Sequence, residues 1–167
     1  EFYTHQLRDH WISNHENNVL LKDCIDWRVN MLWSEKIHFV SETIKEQYFI
    51  TDFYGWCDIG YFRGRRNDLD MSSLKMWPSP NKITSLDKNK IYYGLVNNDN
   101  TYVDSVYHIV KNKNANGVPS HPIPPDKGVV AGGFFILHKD NIEWWHTTYY
   151  DKLKLYFDNK HLVKDDQ

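Results

Sequence analysis

Residues 52–63 read DFYGWCDIGYFR, and this stretch says most about the fold. Phe53–Cys57 is a short apolar and aromatic run with the length of a buried strand, and it stops at Asp58 and Gly60. In open α/β sheets, ligands bind in the crevice at the carboxyl ends of the strands, and Asp58 is the first polar residue there. The stretch therefore predicts a buried strand that ends at a ligand site.

Strand and helix patterns alternate around this stretch. Apolar residues recur at helical spacing over residues 29–46, which predicts one amphipathic helix, and residues 19–27 have the composition of a short helix. Residues 91–96 are a second predicted strand. Residues 129–137 are a third, which the pair Gly132-Gly133 interrupts.

A further helix is predicted near the C-terminal end of the chain. Asp140 is its expected N-cap, and Lys152 and Lys154 lie late in it, where the helix dipole favours cations. Its expected buried face consists of apolar residues at helical spacing, namely Ile142, Trp145, Tyr149, Leu153 and Tyr156. The alternation of strands and helices predicts a single α/β layer domain over residues 1–167.

The other segments have weaker patterns. Residues 63–87 are predicted to form a long loop with at most one helical turn, and residues 111–127 a surface loop. Residues 102–110 fit either a strand or a helix, and residues 1–18 are too polar to assign.

Composition limits the classes of protein. A chain of 167 residues that is 41% hydrophobic can bury a core, and disorder is not expected. A net charge of −2 disfavours a surface built for nucleic acid or anionic lipid. Cys24 and Cys57 lie far apart without a CxxC pair, so neither a disulfide framework nor a structural zinc site is predicted. The aromatic content of 16% suits a core and also stacking platforms for sugars or bases.

The sequence also carries expectations about location. No run approaches the roughly 18 consecutive apolar residues of a membrane span, and the first residues show no signal-peptide pattern. Because the numbering starts at Glu1, we expect it to begin inside a longer product, from which a targeting segment could have been lost. Reduced cysteines and the lack of a visible signal favour a cytoplasmic location.

Charged residues near Asp58 fit the binding of phosphate. A carboxylate at a strand end suits Mg²⁺ or Mn²⁺ held together with substrate phosphates, whereas the alternative is an Asp that caps the following turn. Arg63, Arg65 and Arg66 follow, and they would either bind a diphosphate or form a solvated loop face. Lys36 lies on the apolar stripe of its helix, where it would either snorkel to solvent or point at a ligand phosphate.

Common catalytic motifs are lacking. None of the nine histidines forms an HxxxH or HExxH pair, and the chain has no GxSxG, Walker or GxGxxG sequence. The acidic pair Asp165-Asp166 is either a solvated tail or a source of carboxylates for a site.

Several motifs together resemble the HtrL/YibB-like proteins, a family similar to GT-A type glycosyltransferases. In chain order they are WSEK at 33–36, W-x-D-x-G-x-x-R at 56–63, WP at 77–78, AGGFF at 131–135 and KDDQ at 164–167. The resemblance covers roughly residues 31–167. Its second motif is fairly specific, whereas the A-G-x-F and D-Q elements are informative only in company.

This resemblance implies a GT-A-like fold, with a mixed sheet flanked by helices, that transfers sugar from a nucleotide-diphosphate donor. Such enzymes hold the donor diphosphate through a divalent metal, Mn²⁺ or Mg²⁺. Asp58 would take the place of the first Asp of their D-x-D motif, and Gly60 replaces the second. Asp58 would then bind the metal or instead hydrogen-bond the donor ribose or sugar.

The resemblance also implies roles for other residues. Asp166, with Asp165 beside it, would lie near the reacting carbon and take the acceptor proton in an inverting enzyme. The residues implied to bind the donor and its phosphates are Lys36, Asp58, Gly60, Arg63 and Arg65. Those implied to line the sugar and acceptor cleft are Trp56, Trp77, Gly132, Gly133 and Gln167.

The sequence therefore predicts a glycosyltransferase whose acceptor is a hydroxyl on a glycan, lipid or protein. The missing second Asp and the many aromatics favour the alternative of a non-catalytic carbohydrate-binding or virion/surface structural protein with this fold. Single-stranded nucleic-acid binding is a weaker alternative because of the net charge. Because no strand is predicted before Val29, the segment is expected to be either part of a larger domain or a minimal version of one.

Overall fold

The computed structural model describes residues 2–62, 71–124 and 128–164, and these form a mixed α/β structure with a small antiparallel sheet. The strands are β1 (Phe53–Cys57), β2 (Ile91–Leu95) and β3 (Val130–His138). The helices are α1 (Arg8–Glu16), α2 (Trp27–Ser34), α3 (Lys36–Lys45), α4 (Met71–Leu74), α5 (Pro80–Thr84), α6 (Asn100–Lys111) and α7 (Ile142–Asp158). Short 3₁₀ turns cover Tyr3–Leu7 and Lys139–Asn141.

The central strand of the sheet is β3, which pairs antiparallel with both neighbours. The pairing with β2 passes from Tyr93↔Phe135 directly to Gly94↔Ala131, so residues 132–134 of β3 form a bulge. This confirms the predicted strand with its glycine interruption. The sheet among the described residues is wholly antiparallel, which differs from the mixed sheet that we expected.

One face of the sheet carries the main core. Tyr54, Phe135 and Leu137 pack against Ile37 and Val40 of α3, together with the start of α7. Trp145 packs against this core, as predicted from its place on the apolar face of its helix. A second cluster joins α1, α2 and α7 and consists of Trp11, Met31, Tyr150, Leu153 and Phe157. The main core fixes α3 against the sheet, and this positions the site described below.

The single helix predicted over residues 29–46 is wrong. The chain forms α2 and α3, with Glu35 between them as the C-cap of the first and the N-cap of the second. Glu35 is fully buried, and its carboxylate accepts hydrogen bonds from the backbone N–H groups of Tyr3 (2.8 Å) and Thr4 (2.7 Å). The helical spacing of the apolar residues continues across the break between α2 and α3, so this spacing alone did not indicate the break.

Two other predictions at helix ends are also wrong. Asp140 lies in the 3₁₀ turn, where its backbone N–H donates to the ring of His138, and α7 begins only after Asn141. Residues 19–27 form mainly turns, with α2 beginning at Trp27, rather than a short helix.

Segments that the pattern left open are resolved as helices. Residues 102–110 belong to α6, whose N-cap Asp99 accepts hydrogen bonds from the next turn. The unassigned N-terminal residues contain α1, which buries Trp11. Of the long loop at 63–87, residues 71–87 hold two short helices instead of at most one turn, and residues 63–70 lie outside the described residues. Among the described helices, none has the length and apolar character that crossing a bilayer requires.

Two histidines join α3 and α7 beneath the N-terminal segment. The Nδ1 atom of His38 lies 3.2 Å from the Nε2 atom of His146, and the ring of Tyr3 contacts both imidazoles. One nitrogen of this pair must donate and the other accept. Burial, together with nearby His38 and Lys45, lowers the pKa of His146, against the opposing effect of Glu143 and Glu42.

The lowered pKa of His146 predicts the direction of a pH effect on stability. Between its folded pKa and the ordinary value of 6.5, the unfolded chain binds more protons at this residue than the folded chain. The free energy of unfolding should therefore fall as the pH drops through about 6.5, and this contribution should level off below the folded pKa.

Urea unfolding at a series of pH values measures this effect. His146→Gln should flatten the slope near pH 6, whereas His121→Gln, at an exposed residue, should leave it unchanged. An identical pH profile for wild type and His146→Gln would contradict the prediction.

Candidate functional site

Lys36, the first residue of α3, is buried and points at the sheet. Its ammonium donates to the carbonyl of Gly132 (3.0 Å) and lies 3.1 Å from both carboxylate oxygens of Asp58. Its side chain is 7% exposed, so the alternative that it snorkels to solvent is wrong. One side chain thus links the start of α3, the end of β1 and the bulge of β3.

Asp58 directly follows β1 and is held through its backbone and its side chain. Its N–H donates to the carbonyl of Gly133 (2.8 Å), and its own carbonyl accepts from the N–H of Tyr61 (2.9 Å). Its carboxylate accepts from Lys36 and from the indole N–H of Trp56. The carboxylate is therefore directed toward the site rather than toward capping the turn, and with 39% exposure it is open to a ligand.

The glycine pair brings backbone close to this carboxylate. Gly132 is buried, and its carbonyl is an acceptor for Lys36. A Cβ atom on Gly133 would lie 3.0 Å from Oδ2 of Asp58 and 3.3 Å from the ring of Tyr61, tighter than most real contacts. Glycine within a strand marks either a bulge or a close approach of the backbone, and this pair lies at both. Gly60 is half-buried in the turn after Asp58.

A cleft of about 300 Å³ opens beside Lys36. Aromatic side chains form much of its wall, and they are Trp33, Tyr93, Trp145 and Tyr149. Trp33, Tyr93 and Tyr149 were not among the predicted site residues, and they line the cleft. Trp33 lies three residues before Lys36, across the break between α2 and α3, and Tyr93 shares the core face of β2 with Ile91. Both positions carry a detectable pattern, the helical spacing of the apolar residues for Trp33 and the strand alternation for Tyr93.

Trp77 lies away from Lys36. Its ring contacts Phe62 and Phe134, at centroid distances of 4.7 and 5.8 Å. Phe134 points to the opposite face of β3 from Phe135, which packs in the core beneath α3. Trp77 therefore borders a second groove of about 700 Å³ on the other face of the sheet, and the structure does not bring it into the Lys36 cleft.

The described neighbours of Asp58 do not form a metal site by themselves. The Lys36 ammonium lies where a divalent cation on this carboxylate would meet a like charge at short range. No group of three or more His, Cys, Asp or Glu that could hold a metal ion occurs within residues 2–62, 71–124 and 128–164. Metal binding at Asp58 accordingly stays a prediction.

The thiol of Cys57 is not an activated nucleophile. Desolvation raises its pKa, and the negative charge of neighbouring Asp58 raises it further. Because the thiolate is the reactive form, this environment disfavours covalent catalysis by Cys57 at neutral pH.

The structure brings together Lys36, Trp56, Asp58, Gly132 and Gly133 among the predicted site residues. Five others lie outside the described residues, namely Arg63, Arg65, Asp165, Asp166 and Gln167. No protein-family model, curated protein or solved structure matches this chain.

Replacing the Lys36 ammonium tests how strongly it holds the site together. Lys36→Met should lower the free energy of unfolding by about 2–4 kcal/mol, because Asp58 and the Gly132 carbonyl both lose a donor. In the double variant Lys36→Met/Asp58→Asn, part of this loss should be recovered, since no uncompensated carboxylate is left.

Urea unfolding followed by tryptophan fluorescence measures these changes. Lys45→Met is the matched control, because Lys45 is exposed and pairs with an equally exposed Glu42, and it should cost less than about 1 kcal/mol. Equal losses for Lys36→Met and Lys45→Met would contradict the role assigned to Lys36.

Proposed function

We propose that this chain is an HtrL/YibB-like glycosyltransferase with a GT-A-like fold, which transfers sugar from a nucleotide-diphosphate donor to a hydroxyl acceptor. The observation that carries the proposal is the contact of Lys36 with Asp58 and Gly132. These residues come from three of the separate motifs that resemble the family, at 33–36, 56–63 and 131–135. A chance likeness of short motifs would not require them to meet in space.

The Lys36–Asp58 pair is suited to binding the donor. Lys36 places a positive charge in a largely buried location, and because Asp58 compensates much of it, Lys36 acts on phosphate only together with further cations. In the proposed complex the donor diphosphate shares this ammonium with Asp58, and Arg63 and Arg65 supply further positive charge. The exposed part of the Asp58 carboxylate then accepts a hydrogen bond from a hydroxyl of the donor ribose or sugar.

The proposed reaction needs one more acidic group. In an inverting mechanism, the carboxylate of Asp166, with Asp165 beside it, takes the proton of the acceptor hydroxyl. The acceptor oxygen forms a bond to the anomeric carbon, and the bond from that carbon to the diphosphate oxygen breaks, with the electron pair leaving on the diphosphate. Lys36, Arg63 and Arg65 stabilise the charge that develops there. Lys36 lies beside Asp58, the one proposed metal ligand, so its ammonium supplies positive charge at this carboxylate.

A second candidate is a carbohydrate-binding or virion/surface structural protein without catalysis. It is favoured by the ion pair that already compensates the charge of Asp58 and by the aromatic groove on the other face of the sheet. Trp77 in that groove is 43% exposed, and aromatic faces of this kind stack on sugar rings.

Isothermal titration with UDP-, GDP- and CMP-sugars, each with and without Mn²⁺, tests the transferase proposal. At least one donor should bind, and Asp58→Asn should weaken its binding about tenfold or more because the carboxylate loses its acceptor strength. Asp52→Asn, at an exposed carboxylate before β1, is the matched control and should leave donor binding unchanged. Absence of binding for every donor by the folded chain would contradict the proposal.

Substitutions at the two faces of the sheet separate the two candidates. If the chain is a transferase, Asp58→Ala should abolish turnover, while Trp77→Ala should leave turnover within about threefold, because the tryptophan lies away from the Lys36 cleft. If it is a binding module, glycan affinity should survive Asp58→Ala and fall about tenfold with Trp77→Ala. Glycan affinity is measured by screening the chain on glycan arrays and then titrating any glycan that binds.

A further inference from the structure

A second cleft, of about 410 Å³, lies beside the C-terminal half of α7, on the same face of the helix whose N-terminal half packs against the sheet. It is bordered by the end of α6, the loop at 113–124, one face of α7 and the segment 161–164. Its volume is within the range of small-molecule sites. Tyr149 lines both this cleft and the one at Lys36, whereas Lys36, Asp58 and Gly60, the described residues of the proposed donor site, do not line this cleft.

The walls of this cleft are mainly apolar. On α7, Tyr149, Leu153 and Tyr156 are spaced by four and three residues and so lie on one face of the helix. Across from them the loop contributes Pro122 and Ile123. Such a lining favours a ligand with an apolar body.

Hydrogen bonds fix both sides of the cleft. In the loop, the side-chain amide of Asn116 donates to the side-chain oxygen of Asn159 at the end of α7 (2.8 Å). On the opposite side, the amide side chain of Asn14 donates to the carbonyl of Val163 and accepts from its N–H, both at 2.8 Å. Because both walls are tied to the body of the protein, the cleft is preformed and need not open at a cost when a ligand binds.

Among the described residues, the charged side chains that line the cleft have one sign. Lys113, Lys152 and Lys164 line it together with His161, and no Asp or Glu in the described part of the chain does so. Burial raises the pKa of Tyr156, so its phenol stays neutral and does not add a negative charge at neutral pH. An apolar interior with a cationic border is complementary to an amphiphile that carries an anionic head group.

We propose that this cleft binds a fatty-acid-like amphiphile, with its apolar chain between α7 and the proline-containing loop and its single negative head group at Lys113 and Lys152. The site does not depend on the transferase proposal, since Tyr149 is the one described side chain that lines both clefts. Lys113 and Lys152 are both exposed, so their substitution leaves the core intact.

Titration of the full chain with dodecanoate tests whether the cleft prefers an anionic head group. Dodecyltrimethylammonium and dodecyl maltoside carry the same alkyl chain with a positive and a neutral head, and all three are used below their micelle-forming concentrations. Dodecanoate should bind at one site, and the other two about tenfold or more weakly. No saturable binding of dodecanoate by the folded chain, or equal binding of all three, would overturn the proposal.

Two pairs of variants test whether dodecanoate binds in this cleft. Lys113→Glu/Lys152→Glu should weaken dodecanoate binding about tenfold, whereas Lys111→Glu/Lys154→Glu, with the same change of net charge outside the cleft, should alter it less than about twofold. Ile123→Glu should abolish binding, while Ile50→Glu, at a fully exposed position, should not. Equal losses within either pair would show binding elsewhere and overturn the proposal.

Discussion

The buried ammonium of Lys36 is the constraint on which the sheet and its neighbouring helix depend. An ammonium removed from water is costly unless it is paired and hydrogen-bonded, and Lys36 meets this requirement with Asp58 and the Gly132 carbonyl. The bulge at residues 132–134 takes this part of β3 out of the ladder with β2, so that the Gly132 carbonyl can accept from a side chain. The irregular part of the sheet is thus the part that the lysine uses.

Glu35 and Lys36 extend this constraint to the N-terminal segment. They are adjacent and both buried, yet Glu35 accepts from the backbone of Tyr3 and Thr4 while Lys36 bonds to the sheet. The break between α2 and α3 falls at this pair, where the chain turns between two packing partners. Because each charge needs its own partner in the interior, the N-terminal segment, α3 and the site are positioned together.

Local pattern predicted the parts of the site that depend on neighbours in sequence. The apolar period placed Lys36 on the inner face of its helix, and the end of the aromatic run placed Asp58 after a strand. The pattern could not predict contacts across the chain, such as Asn14 with Val163, which are 149 residues apart. These contacts also explain why the polar N-terminal residues form a helix, since α1 buries Trp11 and Asn14 against distant segments. Trp77 shows a second limit of prediction from sequence. A tryptophan in a loop can pack on either face of a sheet, and its motif does not indicate which face.

The charge balance at Lys36 bears on which function the site can perform. Lys36 and Asp58 compensate each other, so the described part of the site has little net charge to attract a diphosphate. A neutral sugar hydroxyl, in contrast, finds a charged acceptor in Asp58 and needs no further cation. The transferase proposal therefore requires positive charge beyond Lys36, and Arg63 and Arg65 are the residues that follow Phe62 in sequence. Under the transferase proposal, donor binding would therefore depend on these guanidinium groups more than on the buried lysine, whose ammonium is already paired with Asp58 and the Gly132 carbonyl.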